Sequence, residues 1–221
     1  MEISQLMSEI EKSLRNQTGF DEQILKLPPT LALYSVTDIE YIITKTIENI
    51  VKSRGIALCT IQGSELEEKI KGTVQWITGP KWRSCLLLQG AVGTGKTTLA
   101  EALYHLYYVV DASICKIYAP KLIECFELQM AGVSHAYEEY KTTKRLYIDE
   151  LGSESPRSYI YGTEYAPIQN LITYRYNRQL PTIITTNLTD SMITQRYGER
   201  IADRFNEMCS VLYFSGPSFR T

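Results

Sequence analysis

The sequence predicts an α/β domain with a parallel five-stranded sheet sandwiched by helices, and three observations predict it. Five short apolar or β-branched runs, at 85–89, 114–118, 145–148, 182–186 and 211–214, are separated by stretches of helical periodicity. Continuous apolar runs mark strands buried on both faces, and strands alternating with helices form parallel sheets. A glycine-rich segment follows the first run, and the third run ends in two adjacent carboxylates. A chain of 221 residues holds one such domain and a short appendage.

The appendage comes first. Ile3, Leu6 or Met7, Ile10 and Leu14 recur at helical spacing and predict a short amphipathic helix that ends before Asn16. Leu27-Pro28-Pro29 reads as an extended linker. Thr37 with Glu40 forms a capping-box pattern ahead of Ile42, Ile43, Ile47, Ile50 and Val51, and predicts a second helix. Ser64 with Glu67 opens a third, carrying Leu66, Ile70, Val74 and Ile77 up to Gly79-Pro80. We therefore expect a helical extension over 1–62, able either to bind a partner or simply to pack, and a catalytic core over 63–221.

The first run of the sheet leads into Gly90-Ala91-Val92-Gly93-Thr94-Gly95-Lys96-Thr97, which fits the phosphate-loop pattern G-x-x-x-x-G-K-[ST] between a strand and a helix. Glycines permit turns that aim backbone N–H groups at phosphates, and the positive end of the following helix favours anions. The pattern calls for ATP, with Lys96 on the β and γ phosphates and Thr97 on Mg2+. Thr98 completes the segment, as a packing neighbour of the nucleotide.

Leu146-Tyr147-Ile148-Asp149-Glu150 is an apolar strand ending in two acids. Neighbouring residues at a strand end point in different directions, so Asp149 can hold the Mg2+ shell while Glu150 polarises an attacking water. Thr182 to Asn187 is a β-branched strand that ends in an amide able to orient water against a γ-phosphate; asparagine after a strand is also a common turn residue.

The remaining composition excludes more than it assigns. A net charge of −2 and a pI near 5.8 give no global positive field, so any nucleic-acid contact must be local. Tyr137, Tyr140, Lys141, Lys144 and Arg145 mix aromatic and basic side chains, and the polar 152–165 segment carries Arg157 and three tyrosines. Either can be a DNA surface or a solvated face. Five scattered cysteines without a Cys-x-x-Cys pair, and His105 and His135 without ligand-spaced partners, argue against a metal-binding or disulfide framework. No apolar run is long enough for a membrane span and the amino-terminus lacks a secretory pattern, so the expected location is the cytoplasm.

Taken together, the segments GAVGTGKTT, LYIDELG, RYNRQLPTIITTNL and YGERIADRF resemble the AAA+ ATPases of the DnaC-like and IstB-like group, from about Ser84 to the carboxyl-terminus. The resemblance implies a sensor strand inserted between the phosphate-loop and acid-bearing strands, with Asn187 as sensor. It implies that Arg204, helped by Arg200, reaches the ATP of a neighbouring subunit in a homo-oligomer. Too few residues follow Arg204 for the carboxyl-terminal helical lid of many AAA+ proteins, and Arg220 resembles a terminal arginine motif of the group. The implied activity is ATP hydrolysis coupled to work on DNA. One form delivers a replicative helicase to single-stranded DNA through the amino-terminal helices; the other, IstB-like, assembles on duplex DNA and directs a transposase. A small phosphotransferase would share the phosphate loop, but the sequence shows no arginine-rich lid after the core, and Glu150 beside Asp149 favours water as nucleophile.

Overall fold

The computed structural model describes residues 3–15, 33–55, 64–78, 83–111 and 114–216. The Leu27-Pro28-Pro29 linker, the 62/63 boundary and Arg220 lie outside the described residues. The chain divides into two compact units, Met1–Lys81 with Gly95–Ile114 and Trp82–Thr94 with Cys115–Thr221.

The first unit is helical, with α1 Ile3–Arg15, α2 Val36–Ser53, α3 Glu65–Thr78 and α4 Lys96–Asp111. Ile39, Ile42, Ile43, Ile47 and Ile50 recur every three to four positions, so α2 buries one continuous face. Burying each such side chain stabilises by about 1.5–3 kcal/mol. α2 packs on α1, α3 and α4, and α1 also packs on α4, where Ser13 Oγ and the buried His105 Nδ1 share a hydrogen bond of 2.9 Å. The cap of α2 differs from the expected Thr37 and Glu40. Ser35 Oγ accepts the Asp38 N–H at 3.2 Å, and Asp38 Oδ2 accepts the Ser35 N–H at 3.0 Å. Ser35 and Asp38 offer the same reciprocal pair two positions earlier, and the helix starts where both orphan N–H groups are satisfied. Thr37 is left inside the first turn, its hydroxyl bonded to that of Ser35. At α3 the expected cap is present, with Ser64 Oγ accepting the Glu67 N–H at 3.4 Å.

The second unit carries the sheet. Its strands are β1 Cys85–Gly90, β2 Ile114–Tyr118, β3 Arg145–Leu151, β6 Thr182–Thr186 and β7 Cys209–Phe214, in the order β2-β3-β6-β1-β7. β1 runs parallel to β6 and β7, and β6 runs parallel to β3. The sheet is the expected five-stranded parallel one, flanked by helices. β7 starts at Cys209 rather than Val211 because Cys85 and Leu86 of β1 pair with Cys209 and Ser210. One sheet face, with Leu87, Ile148 and Ile184, packs on Phe126 of α5 (Ala119–Met130), Leu171 of α7 (Pro167–Asn177) and Phe205 of α9 (Glu199–Met208). α6 (Ala136–Thr142) precedes β3, and α8 (Asp190–Tyr197) follows β6.

Between β3 and α7 the 152–165 segment contains a two-stranded antiparallel hairpin, β4 Ser158–Ile160 and β5 Thr163–Tyr165. Its turn residues, Tyr161 at φ 50 and Gly162 at φ 81, both adopt the left-handed conformation that tight hairpins need. Tyrosine is not a usual residue there, so the sequence carries no Asn-Gly signal for the turn.

Arg175 joins three elements from inside this unit. Fully buried, it donates to Thr182 Oγ1 and to the carbonyls of Pro181, Thr143, Lys141 and Tyr140 at 2.8–3.3 Å. Burial pushes its guanidinium down to about 10, so it is still charged at neutral pH. Replacing it by an apolar residue orphans several buried acceptors. Arg175→Met is expected to cost roughly 3 kcal/mol or more, read as a lower urea midpoint at unchanged slope.

Candidate functional site

Parallel neighbours place the carboxyl ends of β3, β6 and β1 side by side at one edge of the sheet. In parallel α/β sheets ligands bind at that edge. Asp149 and Glu150 lie just before the last residue of β3, Asn187 follows β6, and the phosphate loop leaves β1.

The loop's conformation needs its glycines. Gly90, Gly93 and Gly95 have φ of 148, 84 and 93. A Cβ on Gly90 would overlap the Phe214 carbonyl of β7. Thr94 is buried and donates to the Ala91 carbonyl at 2.9 Å, which closes the turn and leaves Ala91 and Val92 exposed. Lys96, Thr97 and Thr98 open α4 in the helical unit. Lys96 is buried, Thr97 is half-buried, and Thr98 Oγ1 accepts from Arg54 Nη1 at 3.1 Å. Glycines held at positive φ and a buried lysine at a helix start are what an anionic phosphate chain requires.

The acids sit on an irregularity. Ile148 pairs with Ile184 and Leu151 with Thr186, so Asp149 and Glu150 together face the single residue Thr185. Glu150 takes the left-handed φ of 55 inside this bulge. Its N–H donates to Thr185 Oγ1 at 2.8 Å, and the same hydroxyl donates to Asp149 Oδ1 at 2.6 Å. Asp149 is half-buried, while Glu150 and Asn187 are exposed. A partly buried carboxylate beside an exposed one suits a divalent cation on the first and water on the second.

Gln89, also missed in the sequence reading, holds the segment after Asn187. Its Nε2 donates to the Leu188 carbonyl at 2.7 Å and to Asp190 Oδ1 at 2.9 Å, and Tyr213 donates to Asp190 Oδ2 at 3.3 Å. A lone polar residue closing an otherwise apolar strand was the available signal. Behind the acids, the buried Glu154 accepts the Gly152 N–H at 2.8 Å and the Tyr197 hydroxyl, and pairs with Arg196 at 3.5 Å. Burial, with the Glu154 charge beside it, raises the Tyr197 phenol.

The two arginines of α9 are unlike each other. Arg200 is exposed. Arg204 is only 8% exposed; its guanidinium donates to Thr173 Oγ1 on α7 and lies 5.2 Å from the Tyr176 ring centroid. Of the expected aromatic and basic DNA contacts, Tyr137 is buried against Phe126 and donates to the Pro167 carbonyl at 2.8 Å, so it cannot stack on a base. Lys141 pairs with Glu138 and lies over Tyr174. In the hairpin, by contrast, Tyr159 and Tyr161 are 70% and 95% exposed, and Arg157 pairs with Glu164 at 3.2 Å. Among the described residues no group of three metal-ligating side chains occurs, and no helix is long and apolar enough to cross a membrane.

Residues 86–209 match the family model described as ATPase family associated with various cellular activities (AAA). Solved structures of similar fold include the DnaC helicase loader, at 23% identity over 70% of this chain and 92% of that one, with a TM-score of 0.52. DnaI is similar at 21% identity over 73% and 88%, with a TM-score of 0.56. The replication initiator DnaA bound to AMPPCP and single-stranded DNA is similar at 15% identity over 79% of this chain and 50% of that one, with a TM-score of 0.56. No curated protein matches the chain.

The Arg204 contacts to α7 predict a stabilising role within one protomer. Arg204→Met is expected to cost roughly 1–3 kcal/mol and to lower the thermal midpoint of dilute protein.

Proposed function

We propose, from the premise that the chain belongs to the AAA family of ATPases, that it hydrolyses ATP as a homo-oligomer on single-stranded DNA and loads a replicative helicase. What supports the hydrolytic part is the meeting of three strand ends: the phosphate loop after β1, Asn187 after β6, and Asp149 with Glu150 on β3.

Residues 90–98 wrap the phosphates with backbone N–H groups, and Lys96 neutralises the β and γ phosphates. Thr97 and Asp149 would hold Mg2+, which would neutralise phosphate charge when bound. Glu150 accepts the proton of the attacking water, and Asn187 orients that water. Arg204, assisted by Arg200, supplies positive charge to the ATP of a neighbouring subunit; Arg204 must then leave Thr173 and Tyr176, so hydrolysis depends on assembly. The loading part draws on the DnaC and DnaI likenesses and on the 1–62 extension, which we assign to partner binding. We assign the core to 63–221 and the working location to the cytoplasm.

Steady-state ATP hydrolysis across a protein concentration series, alone and with single-stranded or duplex DNA, tests this reading. The expected result is stimulation by single strands, steep in protein concentration. Lys96→Ala should abolish turnover, and Arg204→Ala should lower it on the order of 1000-fold while ATP still binds. Stronger stimulation by duplex would replace helicase loading by the transposition-helper role. Activity indifferent to DNA, concentration and Arg204 would overturn the proposal.

A further inference from the structure

The β3 bulge leaves Thr185 with two tasks. A regular parallel ladder offers each strand residue a backbone partner, but the extra residue of a bulge loses its place. Here the displaced N–H is that of Glu150, and Thr185 Oγ1 accepts it at 2.8 Å in place of a carbonyl. A hydroxyl carries one proton, and this one is directed to Asp149 Oδ1 at 2.6 Å. Thr185 itself is buried.

One side chain thus sets the plane of the Asp149 carboxylate and holds the backbone of Glu150 in a conformation that non-glycine residues rarely adopt. The two acids share the bulge, and the bulge is satisfied through Thr185.

We propose that Thr185 is a positioning residue for hydrolysis, coupling the metal-holding carboxylate of Asp149 to the water-activating carboxylate of Glu150. This rests on the ATPase reading above. Oγ1 stays put during turnover and exchanges no proton with substrate. Its contribution is orientation, so loss of the hydroxyl should weaken the Mg2+-dependent part of binding and the rate, and spare binding that needs neither.

The test compares Thr185→Val, which keeps the shape and removes the hydroxyl, with Thr185→Ser, which keeps the hydroxyl and removes the methyl. Fluorescent ADP and ATP derivatives are titrated with excess chelator and with Mg2+, and turnover is measured against Mg2+ concentration. For valine we expect binding in chelator within about twofold of the unaltered protein, most of the Mg2+-induced gain in ATP affinity lost, a kcat at least about 10-fold lower, and a higher half-saturating Mg2+. Serine should restore the Mg2+ gain and most of kcat. If the valine variant does not fold, Thr185→Ala takes its place with the same expectations.

A folded valine or alanine variant with unaltered Mg2+ gain and kcat would overturn the role of Thr185 alone. So would a serine variant as impaired as valine, since the methyl would then be what matters. If the unaltered protein binds ATP with Mg2+ but does not turn it over, the ATPase reading fails while the Mg2+ gain still decides whether Thr185 orients Asp149. If it binds no nucleotide, both fall.

Discussion

The site depends on one pairing constraint: β6 lies between β1 and β3 and runs parallel to both. Because parallel strands share a direction, three separate stretches of sequence end on the same edge, and their spacing is set by the hydrogen-bonding distance between strands. β6 suits this central place through its composition, Thr182-Ile183-Ile184-Thr185-Thr186. β-branched residues favour the pleated conformation, isoleucines fill the interior, and buried threonines need partners for their hydroxyls. Thr182 accepts from Arg175, Thr185 bridges the acids, and Thr186 donates to the Leu151 carbonyl at 2.6 Å. Each bond contributes only about 0.5–1.5 kcal/mol net, yet together they tie β6 to β3 and to the end of α7 with a fixed register.

Much of this was legible in the sequence where a single local rule governs. The phosphate loop is constrained residue by residue, and the apolar runs are long enough to mark every strand of the main sheet. What escaped was set by competition between equivalent signals or by distant partners. Two overlapping capping patterns precede α2, and only the chain's entry decides that Ser35 wins. Nothing in Ile148-Asp149-Glu150-Leu151 announces a bulge, because the residue that satisfies it lies on another strand. Tyr137 has the composition of a base-stacking surface, but helix periodicity turns it inward onto Phe126.

Arginine shows the same limit. Arg175 stands near a helix end with nothing in the neighbouring sequence to mark it, yet it is fully buried and shared among backbone carbonyls, with no carboxylate partner in its hydrogen bonds. Arg204 sits in a motif read as facing a neighbour, and it is also seated on its own α7. A guanidinium that can stack, donate to a hydroxyl or meet a phosphate has more than one stable setting.

The hairpin after β3 is fastened along one side as far as Ile160, and only its turn stands clear. Ser158 donates to Glu127 at 2.8 Å, Tyr165 lies against Phe126, and the buried Glu154 secures the entering chain. The turn at Tyr161 and Gly162 contributes nothing to those contacts, and a Cβ at Gly162 would meet open space. Folding therefore asks a left-handed backbone of these two positions and little of their side chains. The chemistry presented at the tip can therefore change without disturbing the acids upstream, which makes this turn a natural seat of divergence within the sheet unit.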